Sequence, residues 1–225
     1  MQRRYRHLDT LILAFVVVLM ISNLVAGKLV AIGPAISISG AHLLFPLTYI
    51  FGDIFTEVYG YAASRRAIWT GFMGAALLGL MGNIIVALPP APDWPHQAAY
   101  ETVFHQVPRI LVASLIAFWL GEFANAFVLA KLKVLTQGRM LWSRTVGSTV
   151  VGQLVDTVVV VVIVFAGVVP VGEMFKLMYS GYFGKVLYEA LATPLTYAVV
   201  NWLKRVEGVD VFDNGTDFNP FHAVE

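Results

Sequence analysis

The sequence predicts an all-α membrane protein: a bundle of six transmembrane helices with both termini cytoplasmic. Three observations lead there. Hydrophobic residues make up 58% of the chain and charged residues only 13%, against about 25% charged in a typical soluble domain, and the mean hydropathy is +0.75. The 225 residues accommodate about six spans of ~20 residues with short links, read as a single transmembrane domain over 1–225. Finally, the basic clusters alternate from link to link. Arg3, Arg4 and Arg6 precede the first span, Arg65 and Arg66 follow the second, Lys131 to Arg144 follow the fourth, and Lys204 and Arg205 follow the sixth. The other links hold only Lys176, so the basic side is expected to face the cytoplasm.

Segment one runs over 8–32 and contains Asn23 and Lys28. Its long apolar run, with no small-residue cleavage site after it, reads as a span rather than a removable signal. The link GPAISISG (33–40) has the composition of a short turn region. Segment two, 41–61, is the most unusual: FPLTYIFGDIFTEVYGY carries Asp53 and Glu57 inside an apolar run. Segment three, 67–88, holds Gly71, Gly74, Gly79 and Gly82, small residues that suit close helix contact within one chain or in a homodimer. Pro89, Pro90, Pro92 and Pro95 then predict an extended loop. Segment four, 107–130, begins near Arg109 and holds Glu122 and Asn125; segment five, 145–169, holds Gln153 and Asp156; segment six, 181–203, holds Lys185 and Glu189. The polar, acidic tail 206–225 reads as irregular. PLTY occurs at 46–49 and again at 194–197, too short a match to establish a repeat.

A charged group in hydrocarbon costs at least ~2.5 kcal/mol, so its default reading is a functional site facing a cavity or bundle interior. On a helix, Asp53 and Glu57 share a face. Asn23, Asp53, Gln153 and Asp156 lie too deep to reach either surface. Glu57 either reaches the cytoplasmic headgroups or belongs to the site, Lys28 can snorkel outward, and Arg109 is an interfacial anchor or a site residue. Lys185 and Glu189, four apart, form an intrahelical pair or face substrate, while Glu122 and Asn125, three apart, either only bond between helices or belong to the site. Phe45 and Tyr49, on the face leading to Asp53, are the aromatic candidates to stack on a planar ligand.

Several classes of function are excluded. There is no cysteine, hence no thiolate chemistry or iron–sulfur ligation. No Walker A loop, HExxH pattern or Gly-x-Ser-x-Gly elbow occurs, and His7, His42, His96, His105 and His222 are scattered without metal spacing. A net charge of +1 without a basic patch gives no indication of nucleic acid binding. Neither cofactor nor metal is expected, and the expected partners are the bilayer and a small molecule.

Three blocks, FPLTYIFGDIFTEVYGY (45–61), GSTVVGQLVDT (147–157) and GKVLYEALATPLTYAVVNWLKR (184–205), together resemble the queuosine-precursor transporters, also called the vitamin uptake transporter family. SNLVAGKLV (22–30) and VPRILVASLIAF (107–118) are similar to that family's first and fourth segments. The likeness covers the chain from about Leu8 to Phe221. It implies a bacterial inner-membrane importer, not an enzyme, that carries a 7-deazaguanine base such as preQ0, preQ1 or queuine by secondary or facilitated transport. A guanine-like edge presents N–H donors that carboxylates accept, and a carbonyl that needs a donor. On that reading Asp53, Asp156 and Glu189 are acceptors, Asn23 and Gln153 read the base through their amides, Lys185 is donor or charge partner, and Arg109 guards the outer entrance. Gln153 departs from the acidic or other amide residue expected in some members, leaving ligand contact and structural amide both open. The rival readings are a substrate-binding subunit served by a separate ATP-driven module, and an intramembrane aspartyl protease using Asp53 and Asp156. The second lacks a Gly-x-Gly-Asp setting.

Overall fold

The computed structural model describes residues 5–26, 28–32, 36–104 and 108–222. The chain is an all-α membrane protein with one small β-hairpin. The elements are α1 (Leu8–Val25), β1 (Leu29–Ile32), β2 (Ile36–Ser39), α2 (Ala41–Ile54) continued by a π-turn (Phe55–Tyr59), α3 (Tyr61–Ala87), α4 (Gln97–Phe104), α5 (Pro108–Leu135), α6 (Leu141–Phe165) and α7 (Val171–Glu207). The helical stretches that contain α1, α3, α5 and α6 are each long and apolar enough to cross a bilayer. The two remaining long segments, α2 with its π-turn and α7, carry Asp53, Glu57, Lys185 and Glu189.

Several boundaries differ from the sequence reading, each for a local reason. Segment one ends at Val25 rather than residue 32 because the β-branched residues Val30, Ile32, Ile36 and Ile38 pair as an antiparallel hairpin, Val30 opposite Ile38. The hairpin closes against α1: Gly40 N–H donates to the Lys28 carbonyl at 2.7 Å, and a side chain at Gly40 would meet the Val25 carbonyl at 2.6 Å. The loop after α3 is not extended throughout. Past the last proline, QAAYETVF forms α4, whose Gln97 Nε2 donates to the Val86 carbonyl at 3.0 Å. Helix α7 starts ten residues before its expected position and takes in Lys176. Pro194 lies inside it and removes the backbone bond that would reach Ala190.

Along the bundle the core is aromatic. Phe15 meets Phe55 edge-on at 5.7 Å and stacks on Phe118 at 6.4 Å. Many large apolar side chains point outward instead, among them Leu13, Val17, Met73, Leu77, Val112 and Leu154. In water these faces would be a liability. In hydrocarbon they match their solvent.

One end of the bundle collects the charge. Glu207 at the end of α7 accepts the backbone N–H groups of Arg6 and His7, at 3.0 and 2.7 Å, beside the start of α1. Gly60, with φ +84°, makes the sharp turn from the π-turn into α3, a conformation side chains rarely adopt. Residues 209–222 then dock here rather than hanging free. Asp213 accepts Tyr61 N–H at the start of α3 at 3.1 Å, Trp69 Nε1 donates to the Pro220 carbonyl at 2.8 Å, and Arg65 donates to the Asn219 carbonyl at 3.1 Å. The tail is irregular in backbone, as expected, yet held at fixed points.

Candidate substrate site

In the half of the bundle away from this basic end, a cavity of about 260 Å³ lies among α1, α3, α4, α5, α6 and α7 and the start of α2. It uses the last turns of α1, the first turns of α5 and the second half of α3. Its wall is mostly apolar, with Phe104 and Phe118 as aromatic rings. The polar exceptions are Ser22, Asn23, Ser114, Asp156 and Lys185. Lys185 Nζ stands 2.5 Å from Asp156 Oδ2, joining α7 to α6. Asn23 Nδ2 donates to the Leu19 carbonyl at 2.9 Å, which orients its amide along α1.

Behind Asp156 a polar cluster is buried among α2, α5, α6 and α7. It contains Tyr49, Asp53, Glu122, Asn125, Gln153 and Glu189, each at most 2% exposed. Asn125 Nδ2 donates to Asp53 Oδ1 at 3.0 Å across α5 and α2, and Gln153 of α6 lies beside Tyr49 of α2. Glycines let these helices close on one another. A side chain at Gly152 of α6 would meet Asn125 Cβ at 2.8 Å and the Gly121 carbonyl at 2.9 Å, and one at Gly52 would meet Glu122 Oε2 at 2.8 Å. Among the described residues, Asp53 Oδ2, Glu122 Oε1, Asn125 Oδ1, Gln153 Oε1 and Glu189 Oε1 accept no hydrogen bond. All five are oxygens able to accept a hydrogen bond.

Residues 39–199 match the family described as "Putative vitamin uptake transporter". The chain belongs to this family. The match takes in the whole buried cluster and leaves Asn23 outside. Among curated relatives, the "Probable queuosine precursor transporter" of Bacillus subtilis is 29% identical over 158 residues, 70% of this chain and 69% of the relative. The "Queuosine precursor transporter" of Escherichia coli is 28% identical over 135 residues, 58% of each chain. The chain thus spans about two thirds of the first relative and under three fifths of the second. No solved structure matches it.

In this member of the family, the expected site residues fall into three groups. Asn23, Asp156 and Lys185 meet at the cavity wall, and Tyr49, Asp53, Gln153 and Glu189 form the cluster behind it. Phe45 belongs to α2, but its side chain lies outside the described residues. The third group stands apart from the cavity. Arg109 donates through Nε and Nη2 to the carbonyls of Ile163 and Ala166, at 2.5 and 2.8 Å, serving the C-terminal end of α6 as a cation suits. Glu57, on the π-turn, is buried at the basic end among Arg144, Lys204 and Lys133. Lys133 and Lys204 also reach Asp210 of the tail, at 2.6 and 2.9 Å.

Sequence reasoning missed Ser22 and Ser114, hydroxyls that blend into apolar helices. It also placed Lys133, Arg144 and Lys204 as orientation markers, without signalling that they converge on Glu57. Glu122 and Asn125 were expected to bond between helices, and the Asn125–Asp53 contact does so.

Proposed function

We propose that the chain is an inner-membrane importer of a queuosine precursor, a 7-deazaguanine base such as preQ0, preQ1 or queuine, oriented with its basic end and both termini toward the cytoplasm. The observation that carries this reading is the Asp156–Lys185 pair on the wall of a largely apolar cavity of about 260 Å³. A flat heterocycle with N–H donors along one edge and a carbonyl beside them needs an apolar slot, an acceptor and a donor. Asp156 offers the acceptor, Lys185 the donor, and Phe118 and Phe104 the rings to stack upon. Asn23 reads an exposed edge from α1. Asp53, Gln153 and Glu189 offer further acceptors along the path inward, with Tyr49 between them. The names of the relatives support the cargo, and the convergence of basic residues supports the orientation.

Under this reading the base passes unchanged and no ATP-driven module is needed. The test is uptake of labelled preQ0, preQ1 and queuine by purified protein in liposomes without nucleotide, and by cells unable to make queuosine. Saturable uptake of a base recovered unaltered supports the reading; no uptake of any of the three overturns it.

A further inference from the structure

Glu122 is a carboxylate without a role in the cavity wall. It lies on α5, 1% exposed, with Oε2 seated against the backbone of α2 at Gly52. Its Oε1 accepts no hydrogen bond among the described residues. Three more carboxylates surround it, each close enough to interact with it electrostatically: Asp53 from α2, Asp156 from α6 and Glu189 from α7. Tyr49 of α2 faces the same group. Glu57 also acts on Asp53 from the far side, though its own charge is met by Arg144 and Lys204. Among the described residues the one ammonium that serves these four carboxylates is Lys185, on Asp156.

Four carboxylates and one ammonium, packed out of water, cannot all be ionised together, because burial and like charge both oppose it. The neighbouring amides give a second and independent indication. Asn125 Oδ1 and Gln153 Oε1 are buried acceptors without donors. A carboxyl O–H is the donor that such acceptors lack.

We propose that Glu122 is a proton-binding site that couples a proton to the passage of the base. This rests on the reading of the chain as a base importer. Asp156 stands both on the cavity wall and beside Glu122, so it connects the cavity to the buried carboxyl. The Glu122 carboxylate takes one proton arriving from the cavity side and gives one proton up toward the basic end in each cycle. No bond other than O–H forms or breaks. The proton neutralises the cluster while the base crosses, and its loss restores the charge that resets the site.

The test uses the full chain in liposomes with labelled base. With the cavity side acidic, wild-type protein should accumulate base above the equilibrium level, and a protonophore should abolish that accumulation. Glu122→Gln keeps the shape and removes the titrating group; it should exchange base for base at the wild-type rate and lose the accumulation completely. If Glu122→Gln exchanges poorly, proton uptake by the wild type, followed with an internal pH dye, decides: one proton per base supports the proposal, and none overturns it. Wild-type exchange indifferent to the gradient, or accumulation by Glu122→Gln equal to wild type, also overturns it while leaving the importer standing. Absence of any wild-type exchange overturns the importer itself, and the coupling with it.

Discussion

Glu57 is clasped by Arg144 at two points: Nη2 donates to Oε1 at 2.7 Å and Nε donates to Oε2 at 3.3 Å. Both side chains are buried, and Lys204 Nζ adds a third contact to Oε1 at 2.7 Å. The π-turn thereby ties α2 to the start of α6 and the end of α7. Such a turn inserts one residue into the helix and presents Glu57 to these cations at the basic end.

Removing Glu57 should be costly, because buried Arg144 would lose its carboxylate, while Lys133 and Lys204 would keep only Asp210. Breaking a buried pair from one side destabilises by about 3–5 kcal/mol. Glu57→Gln should therefore lower the thermal unfolding midpoint in detergent markedly. The double variant Glu57→Gln with Arg144→Met should lose less than the sum of the two single changes. Additive losses would mean that the contact carries no coupling.

The Asp156–Lys185 pair has a different signature, since it combines stability with function. Lys185→Met leaves Asp156 without its ammonium and should cost both stability and uptake. Adding Asp156→Asn should restore the unfolding midpoint without restoring uptake. Loss of a charge-assisted hydrogen bond of about 1.5–3 kcal/mol corresponds to roughly ten- to hundredfold weaker transport of the base. Full uptake by the double variant would remove both residues from the binding site.

How far the sequence reveals this arrangement depends on range. Asp53, Gln153 and Asp156 announce themselves, because a carboxylate or amide inside an apolar run is too costly to keep without a use. Partners are harder to read. Spacing of four favours Glu189 for Lys185, but the contact observed runs to Asp156, 29 residues away on another helix. Arg144 lies in a basic stretch and reads as surface, yet the approach of α6 to the π-turn buries it. The tail shows the converse limit. Its composition predicts irregular backbone correctly, while its anchors at Tyr61, Arg65 and Trp69 lie more than 140 residues upstream and leave no local trace.

The tail should respond to acid. Burial works to raise the Asp210 carboxyl, but hydrogen bonds and charge from Lys133 and Lys204 outweigh it and hold the group below the ordinary aspartate range. A carboxyl held lower in the folded chain than in the unfolded one stabilises the fold above the unfolded value, about 3.9. That contribution is lost as pH falls through the lower, folded value. Hydrogen exchange over residues 208–222 should thus stay slow at neutral pH and quicken below about pH 4. Asp210→Asn should raise the exchange already at neutral pH and flatten its acid dependence. An unchanged profile would show that Asp210 does not hold the tail.

The glycines between α5 and α6 supply the most direct test of how the buried cluster is assembled. At Gly152 an added methyl group would sit 2.8 Å from Asn125 Cβ and 2.9 Å from the Gly121 carbonyl. Neither is the tip of a flexible side chain, so the helices themselves must part. Overpacking of this kind costs about 1–3 kcal/mol. The displacement would fall on Asn125, which holds Asp53 at 3.0 Å. Gly152→Ala should accordingly lower the unfolding midpoint and reduce uptake together, although it touches no cavity residue. Gly172→Ala, where no atom lies within 4 Å of the added carbon, should leave both unchanged. Equal behaviour of the two variants would mean that the close approach of α5 and α6 is not what sets the geometry of the cluster.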